Sequence, residues 1–241
     1  MTLALPLRHR IDPERSDHDN PRFEFGAGPR RNHGVTLLKD LTPSAARVCD
    51  AAVGHFAEHG YDASSLNEIA ILAGMRKASL YAHFANKDAL FVQVFQRALV
   101  EETAYVEFAF QQEMVGNLPP GHWLPLHLAE RYLASPSLRF VLRTAFLPPT
   151  EIKTTITSGF ENYLETIRLG FCKALRERHA WADSVQSELD TYGEGYLGII
   201  DSLYVELMYA DAAAYTRRAT SLLKLLDDSL ALTGATLAAT A

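Results

Sequence analysis

Apolar side chains recur at the spacing of an α-helix along most of the chain. After Thr42 they return at intervals of three and four residues, which places them on one face of a helix. The first such face consists of Ala45, Val48, Cys49, Ala52, Val53 and Phe56. Strand-like alternation of apolar and polar residues is absent from the sequence, so the pattern predicts an all-α fold.

Residues that begin and end helices divide this pattern into elements. Thr42 and Pro43 are typical of a helix start, and Gly60 is typical of a helix end. The sequence SLNE at 65–68 is a capping box, which predicts a short second helix that Gly74 ends. Further helices, with prolines between the shorter ones, are predicted at about 76–83, 86–114, 150–179, 183–209 and 212–234, with two modest helices between 116 and 150.

The two short helices on either side of Gly74 have the order of a helix-turn-helix, whose second helix lies in the major groove of DNA. We expect that a side chain at Gly74 would clash within this turn. Apolar residues around the turn can close a small core, which leaves polar and small side chains on or beside the second helix. These candidates for DNA contact are Arg76, Lys77, Ala78, Ser79, Tyr81 and His83.

Residues 60–90 contain a long run of motifs at fixed spacing. In order, they are Gly60-Tyr61, Ser64-Ser65, Glu68-Ile69-Ala70, Ala73-Gly74-Met75, Leu80-Tyr81, His83-Phe84 and Lys87. This run resembles the N-terminal domain of the TetR family of repressors. The resemblance implies a three-helix DNA-binding domain followed by a variable helical domain that binds an effector and dimerises.

The resemblance also implies roles for individual residues. Ser65 and Lys87 are expected to hold phosphates, and both lie at helix N-termini, which favour anions. Lys77, Ser79 and Tyr81 are expected to contact bases or adjacent phosphates. His83 is expected to contact a phosphate.

Three of these positions leave alternatives open. Tyr81 is either a DNA contact or a core ring with its hydroxyl at the rim, and His83 is either a phosphate contact or an ordinary surface histidine. Arg76 stands where family members commonly place a small capping residue, and loss of such a cap costs about 1 kcal/mol. We hypothesise that Arg76 instead contacts a guanine or a phosphate and contributes to the choice of operator.

The sequence divides into a flexible N-terminal extension at 1–42, a DNA-binding domain at 43–90 and an effector-binding and dimerisation domain at 91–241. The last two predicted helices carry apolar residues on two faces, so each needs two packing partners. A homodimer would supply the second partner and would suit a palindromic operator in double-stranded DNA. The alternative is a core formed entirely within one chain.

Aromatic residues are frequent in the predicted C-terminal domain and favour a small hydrophobic or aromatic effector. Aromatic residues at helical spacing are also typical of a plain core, and that alternative stays open. The candidate effector-binding residues are Phe95, Phe108, Trp123, Phe140, Phe146, Tyr163 and Tyr196.

Composition limits the other function classes. The net charge is −6, and residues 43–91 carry four basic and five acidic side chains, a balance of −1 that is low for a DNA-binding domain. Cys49 and Cys172 form no metal-spaced pair, and His122 and His127 lie five apart without nearby cysteines, so we expect neither a metal nor a cofactor. No catalytic motif, secretion signal or membrane-length apolar stretch occurs, which predicts a cytoplasmic protein that is not an enzyme.

These observations favour a transcription repressor that a small hydrophobic effector releases from its operator. Two alternatives remain at this stage. One is a regulator of the same fold that is controlled by a protein partner, and the other is a helical small-molecule-binding protein without DNA-binding activity.

Overall fold

A computed structural model describes residues 41–179 and 186–240, and every regular element in these ranges is helical. The all-α prediction is therefore confirmed. The helices are α1 (Pro43–His59), α2 (Leu66–Leu72), α3 (Lys77–Tyr81), α4 (Lys87–Val115), α5 (Trp123–Ala134), α6 (Pro136–Phe146), α7 (Lys153–His179), α8 (Gln186–Tyr209) and α9 (Ala212–Thr240), with a 3-10 turn at Thr150–Ile152 before α7.

The predicted helix starts are formed by hydrogen-bonded caps. Thr42 accepts a hydrogen bond from the backbone of Ala45, Asn86 from Ala89, and Asp211 from Ala214. Two predicted bounds were wrong, because α3 is shorter than residues 76–83 and α9 continues past Gly234 to Thr240. Residues 1–40 of the predicted N-terminal extension lie outside the described residues. The start of the helix predicted at 183 lies outside them too.

The first hydrophobic cluster, called the head cluster here, joins α1, α2, α3 and the first half of α4. Residues of α6 and α7 also belong to it, namely Phe140, Val141 and Ile156. The ring of Phe140 lies 5.8 Å from Phe56, 5.0 Å from Phe91 and 6.2 Å from Phe95 between centroids, and all four rings are buried. The helix-turn-helix therefore does not complete its core without α6.

The second cluster, called the body cluster here, joins the second half of α4 with α5, α7, α8 and α9. Its buried tyrosines are hydrogen-bonded rather than purely apolar. The hydroxyls of Tyr163 and Tyr204 lie 2.7 Å apart, Tyr196 donates to the carbonyl of Gly121 at 3.0 Å, and Tyr215 donates to that of Pro125 at 2.6 Å. These bonds satisfy groups that would otherwise be costly to bury.

A buried carboxylate fixes the corner between α5 and α6. Glu102 of α4 accepts hydrogen bonds from Arg131 at 2.7 Å and from the hydroxyl of Ser135 at 2.7 Å. Ser135 is also the N-cap of α6, where it accepts from Leu138 at 3.0 Å. Because an unpaired buried charge is strongly destabilising, this arrangement ties the start of α6 to α4.

The turn between α2 and α3 corrects one expectation. A β-carbon added to Gly74 would meet no atom within 4 Å, so a steric clash is not the reason for glycine there. Its φ of +68° lies in the left-handed region, which other residues rarely adopt. The backbone conformation of the turn, rather than crowding, requires glycine at this position.

Replacing Phe140 distinguishes a core role from the predicted effector role. We expect Phe140→Ala to lower the free energy of unfolding by about 3–5 kcal/mol, because a fully buried ring is lost. Phe108→Ala is the matched control, since Phe108 is 45% exposed and should cost less than about 1 kcal/mol. Urea unfolding followed by circular dichroism measures both, and equal losses would contradict the assignment of Phe140 to the head cluster.

Candidate nucleic-acid interface

The helix-turn-helix presents a polar face above its apolar core. Leu80 of α3 and Phe84 after it point inward and are buried, as are Leu66, Ile69 and Ala70 of α2. The side chains on the opposite side of α3 and its flanks are exposed. They are six of the eight predicted contacts: Arg76, Lys77, Ala78, Ser79, Tyr81 and His83.

Exposure decides between the two interpretations of Tyr81. Its side chain is 46% exposed, so the ring does not belong to the head cluster. The ammonium of Lys77, one turn earlier on α3, lies 5.9 Å from the centroid of this ring. His83 is exposed too, with its ring 6.5 Å from that of Phe84 in an edge-on arrangement. Both side chains can reach an external ligand, while His83 still fits a surface histidine.

Arg76 occupies the N-cap position of α3 and makes no capping bond with its side chain. Its backbone is extended, with φ −76° and ψ 147°, and the side chain is exposed. The expected loss of a cap is therefore present in the structure. The side chain of Arg76 therefore remains exposed at the start of α3.

Ser65 begins α2, and its hydroxyl accepts a hydrogen bond from the backbone of Asn67 at 3.2 Å. Ser65 thus caps α2 through the second helical N–H, rather than through the third, that of Glu68, which the predicted capping box uses. Glu68, which would complete the box, has a carboxylate oxygen 3.5 Å from Nε2 of His55 on α1. Burial and the neighbouring His59 lower the pKa of His55, so its ring favours the neutral form. Glu68 thus contributes to the contact between α1 and α2.

Lys87 has a role within the protein that the sequence did not indicate. Its ammonium donates to the backbone carbonyls of Tyr61 at 2.8 Å and Ser64 at 3.3 Å, and it lies 4.2 Å from the centroid of the Tyr61 ring. The charge therefore binds the loop between α1 and α2 in this structure. A phosphate contact by Lys87 would have to compete with these carbonyls.

The same loop is held by the next residue of α4. The hydroxyl of Tyr61 donates to the carboxylate of Asp88, and its ring packs edge-on against Phe91 at 5.2 Å. Burial, and then the bond to Asp88, raise the pKa of Tyr61. Gly60-Tyr61 was placed in the run of motifs, but the sequence assigned no role to Tyr61. Its partner lies 27 residues away, and only the tertiary structure shows that pairing.

A contact between α6 and the end of α1 was also missed. Nη1 of Arg143 donates to the carbonyl of Glu58 at 3.4 Å, where the C-terminal end of a helix favours a cation. A β-carbon at Gly60 would lie 2.9 Å from Nε of Arg143, and Gly60 has a φ of +75°. Glycine at this position therefore serves both the turn and the approach of α6.

The seven predicted effector residues lie in different places. Phe95 and Phe140 are in the head cluster, and Tyr163 and Tyr196 are in the body cluster with their hydroxyls bonded. Phe108 and Trp123 form a cluster with Tyr105 near the surface of α4 and α5. Phe146 lines an open cleft beside α7 and α8. The structure does not gather these seven residues around one cavity.

The described residues also bear on three other properties: metal binding, thiol reactivity and membrane insertion. They contain no group of three His, Cys, Asp or Glu side chains that could hold a metal ion. His122 instead pairs with Asp227 at 2.9 Å, and the ring of His127 stacks on Trp123 at 4.0 Å. Burial raises the pKa of Cys49 to about 11, which favours the unreactive thiol. In residues 41–179 and 186–240, no helix is long and apolar enough to cross a membrane.

Comparison with known proteins matches the helix-turn-helix. A family model described as bacterial regulatory proteins of the tetR family covers residues 48–94. The HTH-type transcriptional repressor SCO4008 of Streptomyces coelicolor is 33% identical over 63 residues, which are 26% of this chain and 33% of the relative. The fatty acid metabolism regulator protein of Bacillus subtilis is 32% identical over 62 residues, 26% of this chain and 32% of that protein. The match thus spans about a third of the length of these relatives.

Solved structures match over most of the fold at low identity. A TetR-family regulator from Cytophaga hutchinsonii has a TM-score of 0.60 at 13% identity, covering 79% of this chain and 98% of that one. The regulator FadR from Bacillus subtilis, solved in complex with stearoyl-CoA, has a TM-score of 0.54 at 19% identity, covering 75% and 96%. At such identities the likeness concerns the fold alone, while the sequence match concerns the helix-turn-helix. The two comparisons agree: residues 48–94 match the tetR family of bacterial regulatory proteins, and the fold of the described chain resembles that of TetR-family regulators.

Proposed function

We propose that this protein is a homodimeric, DNA-binding transcription repressor that a small hydrophobic effector releases from a palindromic operator. The observation that carries the proposal is the exposed face of α3, where Arg76, Lys77, Ser79 and Tyr81 surround a buried Leu80. Such a face offers cations for phosphates and hydrogen-bonding groups for base edges on one short helix. The repressor name of the Streptomyces coelicolor relative supports repression rather than activation.

The charge of the domain limits how it binds DNA. With four basic and five acidic side chains in residues 43–91, attraction to DNA depends on where the cations lie rather than on their number. Arg76 and Lys77 are both exposed at the start of α3, whereas the acidic Glu68 and Asp88 lie near His55 and Tyr61. Local placement thus favours this face for the phosphate backbone.

The dimer contact is proposed at the surface between α8 and α9. A groove of about 360 Å³ runs between these helices, lined mainly by apolar and small side chains that include Gly195, Ile199, Leu222 and Leu225. Leu225 is 64% exposed, and a β-carbon at Gly195 would meet nothing within 4 Å. A second copy packed here would bury this apolar surface and form a four-helix contact by twofold symmetry. It would also place two recognition helices for the two halves of a palindrome.

Helix α6 supports the link between effector and DNA. Phe140 and Val141 belong to the head cluster, while Leu138 and Leu142 belong to the body cluster. A ligand that shifts α6 in the body must therefore disturb packing below the helix-turn-helix. Release requires that the effector bind the DNA-incompetent arrangement more tightly than the competent one. The Bacillus subtilis relative holding stearoyl-CoA supports a small-molecule effector for this fold.

One alternative is favoured by a specific observation. Lys87 binds backbone carbonyls in the protein, and the domain carries a slight negative charge. Both features would suit a ligand-binding protein that no longer binds DNA. The next experiment separates the two functions.

Selection from a random pool of duplex DNA tests the proposal. The purified full chain should enrich a palindromic site that is bound by a dimer. Affinity for the site should fall steeply between low and high salt, because phosphate contacts release counterions. A gel-shift titration at two salt concentrations measures both properties. Failure to enrich any sequence at low salt would support the alternative function instead.

Arg76→Ala tests the hypothesis on operator choice. We expect weaker binding of the selected duplex by roughly five- to a hundredfold, together with a relaxed preference at one base position, as for loss of a contact worth about 1–3 kcal/mol. Arg217→Ala on α9 is the control, because it removes the same charge from an exposed position far along the chain. The hypothesis fails if both affinity and sequence preference of Arg76→Ala match those of the control.

Leu225→Glu tests the dimer contact. A charge on the lining of this groove should shift the protein from dimer to monomer, because its desolvation opposes association. Leu133→Glu is the matched control, since Leu133 is 80% exposed on α5 and away from the groove. Sedimentation velocity measures both variants. If Leu225→Glu and its control both remain dimeric, the contact lies elsewhere.

A further inference from the structure

A cleft of about 360 Å³ lies between the end of α6, α7 and α8, and it is the one that Phe146 lines. Most of its surface is apolar, and two of its rings come from different helices. Besides an alanine, the lining consists of Phe146, Phe160, Leu164, Val205, Ser202 and Asp201. The cleft is thus an apolar site with one anionic group.

Asp201 has no cationic partner among the described residues, unlike Asp190 and Glu206 of the same helix. Glu206 pairs with Arg218 at 2.7 Å, and Asp190 pairs with Arg168 at 3.3 Å. The surrounding protein raises the pKa of Asp201 by desolvation, and no neighbouring charge contributes to this change. Because the side chain still reaches solvent, its carboxylate is open to a ligand.

Arg218, a cation that contacts the lining residue Ser202, has its charge directed elsewhere. Nη1 of Arg218 donates to the hydroxyl of Ser202 at 2.8 Å, while its Nη2 pairs with Glu206. Ser202 is therefore bonded to Arg218 of α9. The charge of Arg218 is already balanced by Glu206. Asp201 is thus the one lining residue whose charge is available to a ligand in this cleft.

We propose that this cleft binds a small organic cation, an amine or quaternary ammonium with an apolar or aromatic body. Asp201 is its counter-ion, and the rings of Phe146 and Phe160 contact the apolar body and the face of the cation. The inference rests on the proposed function, since it names the chemical class of the effector. It excludes acidic ligands such as fatty acids from this cleft, because their carboxylate would lie against Asp201.

The position of the cleft suits an effector. Phe146 ends α6, the helix whose Phe140 and Val141 complete the head cluster. A cation held between Phe146 on α6 and Asp201 on α8 would change the position of α6 relative to α8. That movement would reach the helix-turn-helix through the packing of Phe140 against Phe56 and Phe91.

Three probes of the same shape and different charge test the proposal by calorimetric titration of the full chain. They are 4-phenylbutylamine, 4-phenylbutanol and 4-phenylbutyrate. The amine should bind roughly five- to tenfold more tightly than the alcohol, as expected for a partly exposed ion pair with an aromatic contact, and the carboxylate should bind worst. High salt should reduce the advantage of the amine.

Asp201→Asn keeps the shape of the side chain and removes its charge. In this variant the amine and the alcohol should bind equally. Glu161→Gln is the matched control, because Glu161 is an exposed acid next to Phe160 that does not line the cleft, and it should keep the preference for the amine. The proposal is overturned if the wild-type chain binds none of the probes, if it binds amine and alcohol alike, or if Asp201→Asn retains the preference.

The selected duplex separates this inference from the proposed function. The amine should weaken DNA binding by the wild-type chain and leave binding by Asp201→Asn unchanged. If no duplex is selected while the amine preference depends on Asp201, the repressor function fails and the cation site stands. If a duplex is bound and the amine preference is absent, the cation site fails and the repressor function stands.

Discussion

Phe140 and Val141 extend from α6 into the core beneath the helix-turn-helix, where Phe140 packs against Phe56, Phe91 and Phe95. Helices α2 and α3 have only seven and five residues, so they bury little apolar surface by themselves. An aromatic ring supplied by α6 completes that core. The recognition face is consequently held in place by a helix that belongs in equal measure to the body of the protein.

The start of α6 is held by polar contacts in addition to the apolar packing of Leu138. Ser135 caps the helix and bonds to the buried Glu102, whose charge Arg131 balances. Such a buried group tolerates few rearrangements, because each broken bond leaves a polar atom without water. Helix α6 is thus fixed at its start by Glu102 and packed into the head cluster at its middle. Its other end, at Phe146, lines the cleft between α6, α7 and α8.

Charge in the helix-turn-helix is divided between folding and binding. Lys87 and Asp88, adjacent at the start of α4, both hold the loop after α1 through Tyr61. Arg76 and Lys77 have no comparable internal bonds and remain exposed. This division explains how a domain with a charge balance of −1 can still present a locally positive surface. We therefore expect DNA contact from Arg76 and Lys77 at the start of α3 more than from Lys87.

The sequence by itself determined the helices, most of their ends and the outward face of α3. These features depend on residues close in the chain: apolar spacing, caps such as Thr42 and Asn86, and the left-handed turn at Gly74. The tertiary structure alone decided that Phe140 is core, that Lys87 binds Tyr61 and Ser64, and that Asp201 faces an apolar cleft. Each of these depends on partners more than twenty residues away. Local spacing shows that a side chain is apolar or charged, but the packing of distant helices decides which groups surround it and whether its charge is balanced.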